Sequence, residues 1–204
     1  MKLVWKGKYE DESQLDEGEL PNEAIKFKEP DSAAKLNLMA SLFVIPVIVL
    51  VGINIFFKNQ LGLLVNIPNV FNLTGMILAL LMIVPHEIIH ALLFPENAEV
   101  HIWYSLKNVM FFVHSTYPIS KKRFIWMSLL PSLIFGLIPL IIWIFIPGSY
   151  GVSDLVISFA TFSLLLGVGD YLNIFNAIRQ MPKDAVTQLS GFNSYWYVIE
   201  DMEK

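Results

Sequence analysis

Residues 36–57 form a run of 22 positions without a single charged side chain, and at 1.5 Å per residue a helix of that length spans about 33 Å, enough to cross a bilayer. In hydrocarbon the backbone must satisfy its own polar groups, so such a run folds as a helix or not at all. Three more apolar runs follow, at 71–94, 124–146 and 152–177. With 55% hydrophobic residues and a mean hydropathy of +0.56 in 204 residues, the chain carries more apolar surface than one soluble core of that size hides. The expected fold is therefore an all-α polytopic membrane protein of about four transmembrane helices.

The segments between and around these runs differ in character. Residues 1–35 are polar and mix charges of both signs, as in a solvated arm, although VWKGKY at 4–9 is strand-like. They lack the apolar core and small-residue site of a cleaved leader, so the first helix is expected to remain in the mature chain. Residues 98–120 alternate β-branched and aromatic side chains around Lys107 and Asn108, the pattern of a β-hairpin between helices 2 and 3. Residues 178–204 read as a polar tail. Lys26, Lys28 and Lys35 precede the first helix, Lys107, Lys121, Lys122 and Arg123 lie between the second and third, and Arg179 and Lys183 follow the fourth. Only Lys58 lies in the two opposite connections. Positive flanks mark the cytoplasmic side, so both termini and the hairpin are expected there, in a multi-pass protein of the cell membrane.

Composition removes several classes of function. There is no cysteine, hence no disulfide framework, thiolate metal site or thiol nucleophile. Net charge is −4 and no basic stripe with interleaved aromatics stands out, which argues against nucleic acid as a partner. A metal would have to be held by His, Asp and Glu.

Such a set occurs in the second apolar run as HEIIH, with His86, Glu87 and His90. Histidines four apart on a helix share a face one turn apart, so both imidazoles reach one ion, and the glutamate between them can act on water without ligating. Chance alone would give on the order of 0.005 such matches in a chain of this composition. Ionisable groups inside an apolar span are also costly, roughly 2.5 to 3.5 kcal/mol each, and a bound cation offsets that cost. The competing reading is mutual hydrogen bonding with polar atoms of neighbouring helices.

A zinc peptidase site needs a third ligand. Depth in the membrane favours Asp170, which stands about as far from the cytoplasmic end of helix 4 as His86 and His90 do from that of helix 2. Asp154 lies roughly 24 Å farther along the same helix. Gly167 and Gly169 are expected to let helix 4 approach closely. Glu96 is the main rival, ten residues after His86, although Leu93 replaces the glycine that an extended HExxHxxGxxH turn requires. Glu99, His101 and His114 are further candidates on the hairpin. Asn173 shares a helix face with Asp170 and could hold water or a substrate carbonyl, or, with Asn176, make ordinary interhelical bonds. Pro85 should kink the helix just before His86.

At HEIIHALLFP (86–95), YPISKKRFIWMSLLPSL (117–133) and GDYLNIFNAIRQMPKDA (169–185) the sequence resembles a bacterial family of membrane proteins described as putative zincin peptidases. The resemblance covers roughly residue 21 to the C-terminus. It implies zinc held by His86, His90 and Asp170, with Glu87 catalytic, in a core similar to site-2-protease intramembrane metalloproteases. Those enzymes usually set the aspartate in NPDG or LDG, whereas here it stands in GVGDYLN. The expected activity is hydrolysis of a peptide bond of a membrane protein or peptide in or near the bilayer. The hairpin is suited to add an extended substrate as a further strand. The alternative from another class is a non-enzymatic membrane protein, an immunity or accessory factor, with a structural metal or a polar helix contact.

Overall fold

The computed structural model describes residues 1–30, 32–106, 110–148 and 151–199. The expected hairpin turn at Lys107 and Asn108 lies outside them. Eight α-helices and seven strands form among the described residues, so the fold is mixed α and β, not all-α. Three helical stretches are long and apolar enough to cross a membrane: Ala34–Gln60, Leu73–Leu92 and Lys121–Phe145. A fourth would be the pair Val152–Leu166 and Val168–Gln180, bent by 48°. The chain divides into two compact units, one of residues 38–86 and 129–172, the other of 1–37, 87–128 and 173–204.

The first unit is helical. It contains α2 (Val44–Gln60), α3 (Leu73–Leu81), the start of α4 (Ile83–Leu92), the end of α5 (Lys121–Ser132), α6 (Ile138–Phe145), α7 (Val152–Leu166) and the start of α8 (Val168–Gln180). Val47, Val51, Leu140, Trp143, Ile157, Ala160 and Leu164 form its core. Small residues allow close helix contact: a Cβ on Gly75 of α3 would lie 2.6 Å from the Leu155 carbonyl oxygen of α7, the kind of approach that replaces hydrophobic driving force where the solvent is lipid. Large apolar side chains point outward, with Ile45 64%, Ile48 62% and Phe145 65% exposed. That inside-out distribution suits lipid.

Two helix breaks have sequence causes. Pro85 lacks an amide hydrogen and its ring crowds the carbonyl four residues back, at Leu81, where α3 stops. Met82 closes α3 by bonding back to Leu78 and Ala79, and α4 begins at Ile83. The helix after Pro131 widens into a π-helical turn, Leu133–Leu137, before α6.

The second unit carries the strands, beside α1 (Ala33–Ala40) and the remaining parts of α4, α5 and α8. One sheet has the order β1 (Lys2–Lys8), β3 (Glu99–Ser105), β4 (Met110–His114). The β3–β4 pair is antiparallel with His101 opposite His114, which is the expected hairpin, and β1 adds to it in parallel with a bulge between Trp5 and Gly7. The other sheet has the order β2 (Ile25–Lys26), β7 (Asn193–Val198), β6 (Ala185–Ser190), β5 (Ile119–Ser120). The arm at 1–35 is thus more than a solvated tail, since β1 and β2 are sheet members. The tail after 178 likewise contains a hairpin, turning at Gly191 with φ +56°. Residues 9–18 lie across the first sheet, where Tyr9 and Leu15 bury Trp103. They are tied down by the Gly191 amide, which donates to the Asp16 carbonyl at 3.0 Å.

Candidate metal centre

Helix α4 carries HEIIH, and the helical spacing has the expected effect: ligand atoms of His86, Glu87 and His90 all lie within 4.8 Å of one another. His86 and Glu87 are half-buried and His90 is buried. His90 Nδ1 stands 2.8 Å from the Met127 carbonyl oxygen of α5. Because that oxygen can only accept, Nδ1 carries the hydrogen in this contact. Metal-binding histidines are held by this kind of outer contact.

In the helical unit, His86 Nε2 lies 2.9 Å from Asp170 Oδ2, both side chains being 13% exposed. The structure therefore brings together the first histidine and the aspartate that depth alone selected. Two ligands of one tetrahedral zinc at about 2.0 to 2.1 Å stand roughly 3.3 Å apart, so the pair needs to open by only a few tenths of an ångström. Asp170 is also placed by a break. The Gly167 carbonyl accepts from the Asp170 amide at 3.0 Å, and Asp170 falls in the first turn of α8. A helix N-terminus favours a carboxylate there. A Cβ on Gly167 would push the Ser132 hydroxyl aside, so glycine gives room at the break. Gly169 has open space around its Cβ position, so the close approach belongs to Gly167 alone of the two glycines.

The other candidates are placed elsewhere. Asp154 Oδ1 accepts from the Asn69 amide at 2.9 Å. Glu96 is exposed in the turn after α4, and its backbone oxygen receives the Met1 amino group. Glu99 pairs with Lys2 at 2.8 Å and His101 at 2.9 Å, and these bonds hold its carboxyl down at about 2. His101 also bonds Asp16 at 3.0 Å, and His114 Nε2 donates to the Gly191 carbonyl at 3.0 Å. Asn173 is exposed, whereas Asn176 is buried and accepts from Gln180 at 3.1 Å. The Met127 carbonyl escaped sequence reasoning because a backbone acceptor leaves no residue-type signal.

The family described as "Putative zincin peptidase" matches residues 79–186, more than half of the chain, including His86, Glu87, His90 and Asp170. The chain belongs to this family. No curated protein and no solved structure matches it. The family implies zinc, and the donor chemistry fits: two imidazoles one turn apart with carboxylates at hand, and no thiolate. The narrower likeness to site-2 proteases is not shown by these comparisons.

Proposed function

We propose that the chain is a membrane-embedded zinc metallopeptidase that hydrolyses a peptide bond in or near the bilayer, with His86, His90 and Asp170 holding the metal and Glu87 as general base. The observation that carries this reading is the Glu87 carboxylate held within 4.8 Å of two imidazole donors on a helix of membrane-spanning length. Zinc, when bound there, supplies Lewis acidity and lowers the pKa of water into the neutral range. The Glu87 carboxylate takes the proton from water as it attacks the substrate carbonyl carbon, and returns it to the leaving amine nitrogen. The Met127 carbonyl holds the His90 ring in the tautomer that presents Nε2. Lysine and arginine flanks put the termini and the strand-bearing segments on the cytoplasmic side, from which water reaches the site. The substrate is a membrane protein or membrane-associated peptide.

The non-enzymatic reading draws on the same His86–Asp170 bond, which satisfies both groups without a metal. Purified protein separates the two. Zinc near one equivalent, lost in both His86→Ala and Asp170→Ala, supports the ligand set. Comparing membrane proteins of cells carrying wild type or Glu87→Gln then tests the enzyme: a species that accumulates uncut in Glu87→Gln, with zinc retained, is expected. Full activity in Glu87→Gln would overturn the mechanism.

A further inference from the structure

The two faces of the sheet β1-β3-β4 are unlike. On one, Trp103 and Phe112 are covered by Tyr9, Leu15 and Phe192. On the other, strand alternation and register bring Leu3 and Trp5 of β1 beside Tyr104 and Phe111. Trp5 stacks at 5.9 Å from Tyr104 and lies 5.7 Å from Phe111. Yet Trp5 remains 60% exposed and Leu3 44%.

The same alternation puts Val100 and Val113 on this second face, and they pack with Ala91 and Phe94 at the end of α4. Thus the open aromatic face is the one seated on the end of a membrane-spanning helix, and only six residues separate Leu92 of α4 from Glu99 of β3. Continuity with the span holds that face near the bilayer. Its charge is also suited to a lipid surface. Strand β1 carries Lys2, Lys6 and Lys8, all exposed, and no acid, although Lys2 and Lys8 also reach Glu99 and Glu10 at 2.8 Å. Tryptophan and tyrosine favour the headgroup level, and lysines beside them favour anionic lipid.

We infer that β1 and its aromatic neighbours dock on the anionic headgroup layer of the bilayer that the helices cross, with Leu3 and Trp5 entering it and Lys8 meeting phosphate. This rests on the membrane reading above. Docking would fix the sheet that follows the HEIIH helix against the lipid surface, and so the edge strand available to an arriving substrate.

The test uses the full chain in vesicles. Because it has no cysteine, each introduced one is a unique label site. Nitroxides at Trp5→Cys, Leu3→Cys, Lys6→Cys and Ile48→Cys are compared for collision with oxygen, which concentrates in lipid, and with a water-soluble nickel chelate. Positions 3 and 5 should show an oxygen-to-nickel ratio several-fold above position 6. The ratio at both should rise when phosphatidylglycerol is added to phosphatidylcholine. Position 48, outward on α2, should read as lipid. If 48 reads lipid while 3 and 5 are as nickel-accessible as 6, docking is wrong and the membrane reading stands. If 48 is also aqueous, the membrane reading itself fails. Protection of 3 and 5 from both reagents would mean a protein covers the face, and would overturn the proposal, as would indifference to phosphatidylglycerol. Leu3→Cys leaves the Trp5 stack intact and guards against misfolding.

Discussion

Two polar clusters carried on the helices solve the problem of burying charge in opposite ways. Lys58, fully buried at the end of α2, donates to the Trp143 carbonyl at 3.0 Å, the Ile146 carbonyl at 2.7 Å and the Ser153 hydroxyl at 3.1 Å. Its ammonium also lies 4.0 Å from the centre of the Trp143 ring. A cation belonging to the chain meets the carbonyls at the end of α6, where the helix's own amides run out. At HEIIH the chain instead gathers imidazoles and carboxylates, groups that offer lone pairs. The first cluster is finished by the sequence. The second has the donor types of a zinc site, the metal that the family implies.

The largest expected effect breaks the second cluster alone. His90→Ala removes a ligand and its Met127 contact, so zinc affinity should fall by more than the 10- to 100-fold typical of outer contacts, and proteolysis should vanish. Glu87→Gln should lower turnover by about 10²- to 10⁴-fold while keeping the metal. Metal analysis of both variants beside an activity assay checks the pair. Chelator treatment of wild type should reproduce His90→Ala, with activity restored by zinc.

Lys58→Met tests the other half of the comparison. It takes the donor from the Ile146 carbonyl, whereas the Trp143 carbonyl keeps the Ile146 amide and the Ser153 hydroxyl keeps the Trp143 indole N–H, so a loss of about 1 to 3 kcal/mol is expected. Thermal or denaturant unfolding in detergent should show it, with zinc content unchanged. Loss of zinc in Lys58→Met would show that the two clusters are not separable.

Much of the second cluster was legible in sequence because its signals are local or follow from chain depth. HEIIH is one helical turn, and Asp170 is marked by its distance from a span end. The first cluster was not legible. Lys58 looked like an ordinary flank of a connection, because its partners are two backbone carbonyls and a serine about 85 to 95 positions away. The same limit applies to the strands. The β3–β4 hairpin is adjacent in sequence and was read from alternation, whereas β1 pairs with β3 across some 90 intervening residues. The hairpin at 185–198 did carry a signal, β-branched and aromatic residues around Gly191, which its polar surroundings masked.

A smaller effect is expected at the bend that positions Asp170. Gly167→Ala drives a Cβ into the Ser132 hydroxyl, and overpacking of this kind costs about 1 to 3 kcal/mol. Because Asp170 bonds back to Gly167, zinc affinity should weaken along with stability, which distinguishes this site from Lys58, where stability alone should change. Paired unfolding and zinc titrations on the two variants read that contrast directly.

The smallest effect comes from a third polar cluster, in the strand-bearing unit, which titrates. His114 is buried, donates from Nε2 to the Gly191 carbonyl, and among the described residues its Nδ1 has no hydrogen-bond partner. Burial pushes its pKa below the ordinary histidine value, and the neighbouring His101 and Lys6 add to that while Asp16 opposes it. The folded chain therefore holds neutral His114, and the unfolded chain takes up the proton first as pH falls. Stability from this residue is present above the ordinary value of about 6.5 and is lost as pH drops from there through the depressed folded value. His114→Gln keeps a donor for the Gly191 carbonyl and cannot titrate in that range. Amide exchange in β4 and β6 should accelerate on acidification in wild type and stay nearly flat in the variant. An equal acceleration in both would assign the effect to His101, with its Asp16 and Glu99 partners, instead.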